Sequence, residues 1–188
     1  MQIVIKNMVC PRCITAVEGI LKKLDLPYLS VQLGFVDTQK EHINKKKLIS
    51  FRSELEENGF EIVDNKSQQT VEAIKTLIVK MVQQPDETSK LPFSKILSQK
   101  LSYDYNHLST LFSSIEGTTI EHFLIKHKIE KVKELLVYGE LTLSEIAFQL
   151  GYKTVSHLSA QFKKITGLTP SYFKQVGDQK KRLPLDKV

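Results

Sequence analysis

The stretch Ser144–Phe162 reads Ser-Glu-Ile-Ala-Phe-Gln-Leu-Gly-Tyr-Lys-Thr-Val-Ser-His-Leu-Ser-Ala-Gln-Phe. Ser94–Phe112 reads Ser-Lys-Ile-Leu-Ser-Gln-Lys-Leu-Ser-Tyr-Asp-Tyr-Asn-His-Leu-Ser-Thr-Leu-Phe. Each is an apolar helix, a short turn and a second helix with His-Leu-Ser-x-x-Phe, an internal duplication at an offset of 50 residues. Helix, tight turn, helix is the geometry that lays a second helix in a DNA major groove. In the later unit Gly151 stands at the turn, where a positive φ costs it little. Ile146, Leu150, Leu158 and Phe162 supply the apolar face that holds the two helices together. The outward face of the second helix then bears Val155, Ser156, Ser159 and Ala160, with His157 and Gln161 at its edges. The earlier unit presents Tyr105, Asn106, Ser109 and Thr110 in the same way.

Around this duplication the chain divides in two. A long helical stretch, Ile120 to Leu136, separates the repeats. Upstream, Val71, Ile74, Ile78 and Met81 recur at helical spacing until Gln84-Pro85-Asp86 stops the pattern. One and a half heptads favour core packing for this stripe over a dimer seam. Before Asn65 the signals alternate. Gln2–Lys6 reads as a strand, Ile14 to Leu24 as a helix, and Leu29–Leu33 as a strand broken at Gly34. Phe35-Val36 begins another strand, Leu48, Phe51 and Leu55 mark a helix ending at Asn58-Gly59, and Phe60–Val63 closes as a strand. The expected fold is α+β: a ferredoxin-like β-α-β-β-α-β domain, then an all-α domain with two helix-turn-helix units. The boundaries follow as 1–64, a connecting helix over 65–84, a helical domain over 85–176 and a basic, disordered tail over 177–188.

Composition narrows the function. Hydrophobic residues are 41% and charged residues 26% of the 188, a globular balance. No run approaches the ~18 apolar residues of a membrane helix, nothing at Met1 reads as a signal peptide, and two cysteines do not make a disulfide scaffold. A cytoplasmic protein is expected. Residues 1–64 carry nine basic and nine acidic side chains, while 65–188 carry 18 against 12. The excess positive charge lies entirely in the later part, as expected where the partner is a polyanion. No nucleophile–base pair, phosphate-cradling glycine loop or carboxylate constellation stands out, so no enzyme is expected.

Glu145-Ile146-Ala147, Leu150-Gly151-Tyr152, Phe162-Lys163-Lys164 and Gly167-Leu168-Thr169-Pro170-Ser171-Tyr172-Phe173 closely resemble the AraC/XylS family of transcription regulators. The resemblance covers about residues 66–176. It implies a seven-helix domain whose two recognition helices enter successive major grooves of double-stranded DNA. It also assigns the reading positions to Tyr105, Asn106, Ser109 and Thr110, and to Val155, Ser156, Ser159 and Ala160, with His157 and Lys163 beside them. Where the family often has Arg-x-x-x-Ala in its central helix, this chain has Lys128 and Val132, which makes Lys128 a candidate contact to backbone phosphate. RNA polymerase and a second copy of the chain are the further partners this reading admits. One departure has a physical consequence. The chain has 24 Lys and only three Arg, namely Arg12, Arg52 and Arg182, none in a recognition helix. Arg is the commonest reader of guanine, so Asn106, suited to adenine, becomes the best base reader and A·T-leaning sites are expected.

Met8-Val9-Cys10-Pro11-Arg12-Cys13 sits between the first strand and first helix. Both sulfurs are expected to point outward near the positive end of a helix, where the dipole and Arg12 favour thiolates. Two soft thiolates suit a soft metal, Cu(I) above all. Zn is disfavoured, since a structural site takes four ligands. A second copy or His42 is the remaining source of ligands. The Met-x-Cys-x-x-Cys motif, the strand–helix order and Gly59-Phe60 resemble heavy-metal-associated domains over about residues 1–64, with Asn7 in place of the usual Gly. That resemblance implies metal binding by Cys10 and Cys13, with Met8 packed beneath the loop. A reversible disulfide and a metal-independent interaction module stay open. So does a metal carrier whose basic helical part docks on an acidic protein.

Overall fold

The computed structural model describes residues 2–38, 43–84 and 91–176. His42, the Pro85-Asp86 stop and the 177–188 tail lie outside the described residues. The element order is β1 (Gln2–Lys6), α1 (Pro11–Lys23), β2 (Tyr28–Gln32), β3 (Phe35–Thr38), α2 (Lys45–Glu57) and β4 (Glu61–Ile62). Only helices follow among the described residues: α3 (Lys66–Gln83), α4 (Phe93–Leu101), α5 (Tyr105–Glu116), α6 (Ile120–Tyr138), α7 (Leu143–Gln149), α8 (Val155–Thr166) and α9 (Pro170–Val176). A small antiparallel sheet thus precedes an all-helical part. The described residues divide into two compact units, one drawn from Met1–Leu77 and Leu97–Leu111, the other from Ile78–Ile96 and Phe112–Val188.

In the first unit the strands lie in the order β2-β3-β1-β4, each antiparallel to its neighbours. Successive strand side chains point to opposite faces. Ile3 and Ile5 are therefore buried while Gln2 is exposed. Ile3 stands opposite Val36 and Ile5 opposite Ile62, so one face of the sheet is continuously apolar. Helix α1 buries Val17, Ile20 and Leu21, α2 buries Phe51 and Leu55, and the two helices pack on each other. Asn65 caps α3, accepting hydrogen bonds from the Ser67 and Gln68 amides. Helix α3 therefore begins directly after the last strand, at Lys66. Val71, Ile74 and Ile78 of its stripe are buried, and Met81 is half-exposed.

Gly34 turns β2 into β3 at φ +85°. A Cβ built there would lie 2.4 Å from Thr76 Oγ1 on α3. Alanine thus meets backbone strain and a collision together. Gly34→Ala is expected to cost about 2–3 kcal/mol, read as a lower urea midpoint. Adding Thr76→Ala should recover the steric part and leave the strain. A midpoint unchanged in the single variant would contradict the close approach.

In the helical part the duplication runs further than the helix pairs. Gly117 ends α5 and Gly167 ends α8, each in the left-handed region and each donating its amide to the carbonyl four residues back. Two residues later Thr119 and Thr169 cap the next helix, accepting from His122 N at 3.1 Å and Tyr172 N at 3.3 Å. Proline at the first position of α9 fits because that amide has no helical partner. The Gly-x-Thr-Pro signature is therefore a helix stop followed by a helix start. Phe112 meets Phe123 edge-on at 5.5 Å, and Phe162 meets Phe173 edge-on at 5.6 Å.

Candidate nucleic-acid interface

A capping box starts α7. Glu145 N donates to Thr142 Oγ1 at 3.3 Å, and Thr142 N donates to Glu145 Oε2 at 2.7 Å. The Thr142 hydroxyl also donates to that carboxylate, which holds Glu145 below the usual carboxylate range. Helix α7 ends at Leu150, and Gly151 at φ +69° turns the chain. Thr154 then starts α8 by accepting from His157 N at 3.1 Å. Ile146, Leu150, Leu158 and Phe162 are all buried, as the apolar period predicts. With that face inward, Ser156, His157, Ala160 and Lys163 are exposed, and Val155, Ser159 and Gln161 are half-buried.

The first pair repeats this plan with a shorter turn. Residues 102–104 separate α4 from α5, against 150–154 in the second pair. Ser102, at φ +58°, takes the left-handed place that Gly151 holds. Asp104 accepts from Asn106 N at 2.8 Å at the start of α5. Leu108 and Phe112 are buried. Asn106 and Thr110 are exposed, and Tyr105 and Ser109 are half-buried. In each pair a tyrosine within the turn packs its ring against the histidine of the second helix. Tyr103 stacks on His107 at 5.4 Å, and Tyr152 meets His157 edge-on at 5.4 Å. His107 and His157 are thus anchored in place by their tyrosines. His122 is exposed and His127 buried, so this pair shares no face.

Lys128 is part-buried beside the α7–α8 turn. Its ammonium donates to the Leu150 carbonyl at 2.6 Å and lies 5.2 Å from the Tyr152 ring centroid. Burial lowers its pKa from the ordinary lysine value. A helical position tells which way a side chain points but not what it reaches.

At the other motif, Cys10 precedes α1 and Pro11 occupies the first turn. Cys10 Sγ and Cys13 Sγ are 3.5 Å apart, both half-buried. Cys13 N donates to Cys10 O at 2.9 Å, and Cys13 Sγ lies 3.9 Å from Asn7 O. Asn7 adopts φ +72°, a conformation asparagine tolerates and glycine adopts freely. Met8 is 3% exposed, part of the buried core. The expectation of favoured thiolates fails at Cys13. Burial pushes that thiol up, outweighing the backbone hydrogen bonds at Val9 and Cys10 that pull it down. Among the described residues no group of three or more His, Cys, Asp or Glu side chains is placed to hold a metal ion. Nor is any helix among them long and apolar enough to cross a membrane.

Residues 97–175 match a family described as a helix-turn-helix domain. An uncharacterized HTH-type transcriptional regulator of Staphylococcus aureus is 32% identical over 78 residues, covering 42% of this chain and 10% of that protein. The uncharacterized HTH-type transcriptional regulator YtdP of Bacillus subtilis is 27% identical over 79 residues, again covering 42% and 10%. The chain thus matches about a tenth of the length of these relatives. Among solved structures, the C-terminal domain of AraT, a response regulator from Geobacillus stearothermophilus, superposes with a TM-score of 0.51 at 28% identity. That match covers 60% of this chain and 88% of the other.

Proposed function

We propose that residues 97–175, which match a helix-turn-helix family, form a DNA-binding domain of the AraC type, and that the chain is a sequence-specific DNA-binding transcription regulator. The observation that carries this reading is the paired exposed row. Two helix pairs, each closed by buried apolar side chains, turn Asn106 and Thr110 on one second helix, and Ser156 and Ala160 on the other, to solvent. Both rows lie in the part of the chain that holds all the excess positive charge. Base edges are read by the polar rows and phosphates by lysines, so affinity falls steeply with salt. Changing Asn106 and Ser156 together to alanine should weaken binding to a selected duplex by about tenfold or more. Unchanged affinity would favour a basic surface that docks on an acidic protein.

The N-terminal part, with its β-α-β-β-α-β order and strand order β2-β3-β1-β4, supports a ferredoxin-like, heavy-metal-associated-like input domain over 1–64. Two soft sulfurs 3.5 Å apart, with no third ligand grouped with them among the described residues, fit a soft ion of low coordination number such as Cu(I) and do not fit structural zinc. Cys10 and Cys13 are the residues that would hold it, and the ion would supply a cross-link that closes the loop at the start of α1. Coupling to DNA requires that the DNA-competent and incompetent states bind the ion unequally. The raised Cys13 thiol sets the pH dependence. A proton must leave as metal enters, so apparent affinity rises with pH until Cys13 deprotonates unaided. Anaerobic competition titrations should tighten by about tenfold per pH unit for each proton displaced. Cys10→Ser/Cys13→Ser should abolish the site. A pH-independent affinity, or one surviving in the double variant, would contradict the assignment. The same 3.5 Å separation favours a second reading, closure to a disulfide by an added oxidant. A diamide-induced change in DNA affinity, absent in Cys10→Ser, would select it.

A further inference from the structure

We propose that Lys128 and Tyr152 form a positioning node for the second recognition helix, and that Lys128 serves DNA binding through this node instead of by touching phosphate. The proposal rests on the DNA-binding reading above. The last carbonyls of a helix lack helical partners and carry the negative end of its dipole. Lys128, on α6, donates to one of these at the end of α7, Leu150 O, at 2.6 Å. Its ammonium also sits 5.2 Å from the Tyr152 ring centroid, a cation–π distance. Even a methyl group at Gly151 would lie 3.8 Å from the ammonium nitrogen. One lysine thus grips the whole α7–α8 turn.

Tyr152 carries the grip onward. It is 9% exposed, and its hydroxyl donates to Gln161 Oε1 at 2.7 Å. Its ring and that of His157 meet edge-on at 5.4 Å. His157 and Gln161 are four apart, on one face of α8, and flank the exposed Ser156 and Ala160. A chain of direct contacts therefore runs from α6 through the turn to two points on the recognition helix. Burial lowers the Lys128 pKa and raises that of Tyr152 to about 12, the cost of keeping both groups away from water. The helix pair itself does not require such a node. At the places 50 residues earlier, equivalent to Lys128 and Gln161, stand Ile78 and Leu111. The equivalent positions of the first pair therefore cannot build the same lysine–glutamine node.

The test uses the full chain with Lys128→Met, Lys128→Arg and Tyr152→Phe. Two readings are taken: amide hydrogen exchange along α5 and α8, and affinity for a selected duplex across a salt series. Lys128→Met should speed exchange in α8 while leaving α5 unchanged. It should also weaken duplex binding by about tenfold with the salt slope preserved, whereas a lost phosphate contact lowers that slope by about 1. Lys128→Arg should retain most of the binding. Tyr152→Phe, a milder change that keeps the ring, should loosen α8 in the same direction, and its loss should overlap with that of Lys128→Met when the two are combined. Unchanged α8 exchange, or a reduced salt slope with losses that multiply, would overturn the node. Failure of the unaltered chain to bind any duplex would instead reject the DNA-binding reading, and the exchange comparison would still decide whether Lys128 seats α8.

Discussion

Replacing Lys133 by methionine is expected to destabilise the chain by about 3–5 kcal/mol, since removing one partner of a buried ion pair leaves the other charge desolvated. Lys133 and Glu130 lie one turn apart on α6, 6% and 3% exposed, with Nζ 2.6 Å from Oε1. The loss is a large fraction of the roughly 5–15 kcal/mol that holds a typical domain together. Urea denaturation measures it directly. Changing Glu130 to glutamine in the same chain should return part of the stability, because the buried carboxylate charge is gone. A single variant within ~1 kcal/mol of the parent, as a solvent-exposed pair would be, would contradict the burial.

Phe162→Ala is expected to cost a similar ~3–5 kcal/mol, the range for deleting a buried aromatic ring. Phe162 is fully buried, and its ring meets Phe173 edge-on at 5.6 Å, so truncation opens a cavity between α8 and α9. Loss of duplex binding should accompany the loss of stability, since this side chain seats the helix that bears Ser156 and Ala160. Phe112→Ala should behave alike, because Phe112 and Phe123 repeat the same packing 50 residues earlier. A cost near 1 kcal/mol for either would mean that the sites collapse onto their neighbours.

What could be read from sequence was periodic or tied to backbone chemistry. Ile146, Leu150, Leu158 and Phe162 stand at helical spacing, and all four are buried. Gly151 marks its turn because a left-handed conformation suits glycine. The alternation of β1 places Ile3 and Ile5 inward. What was missed depended on distance through space or on residues outside the usual preferences. Ser102 takes the same left-handed turn as Gly151 without a glycine to announce it. The stop and start at Gly117 and Thr119 were legible as a repeat of Gly167 and Thr169, but the change from Pro170 to Ile120 hid the match. Lys128 carries a phosphate ligand's charge on the expected helix, yet its reach to Leu150 O is a tertiary fact. Likewise, the position of Cys13 near a helix start suggested a thiolate, and only its burial reverses the balance. The approach of Gly34 to Thr76 has no local signal at all.

If the second helix of each pair reads bases, selection of duplexes from a random pool by the full chain should recover a defined sequence. Two clusters of enriched positions are expected, one for each helix. Adenine and thymine should dominate them, since Asn106 pairs best with adenine and neither recognition helix holds an arginine. Asn106→Ala should erase one cluster and leave the other. A recovered pool no different from the input would contradict sequence reading by either helix, and a guanine-rich consensus would contradict the roles given to these side chains.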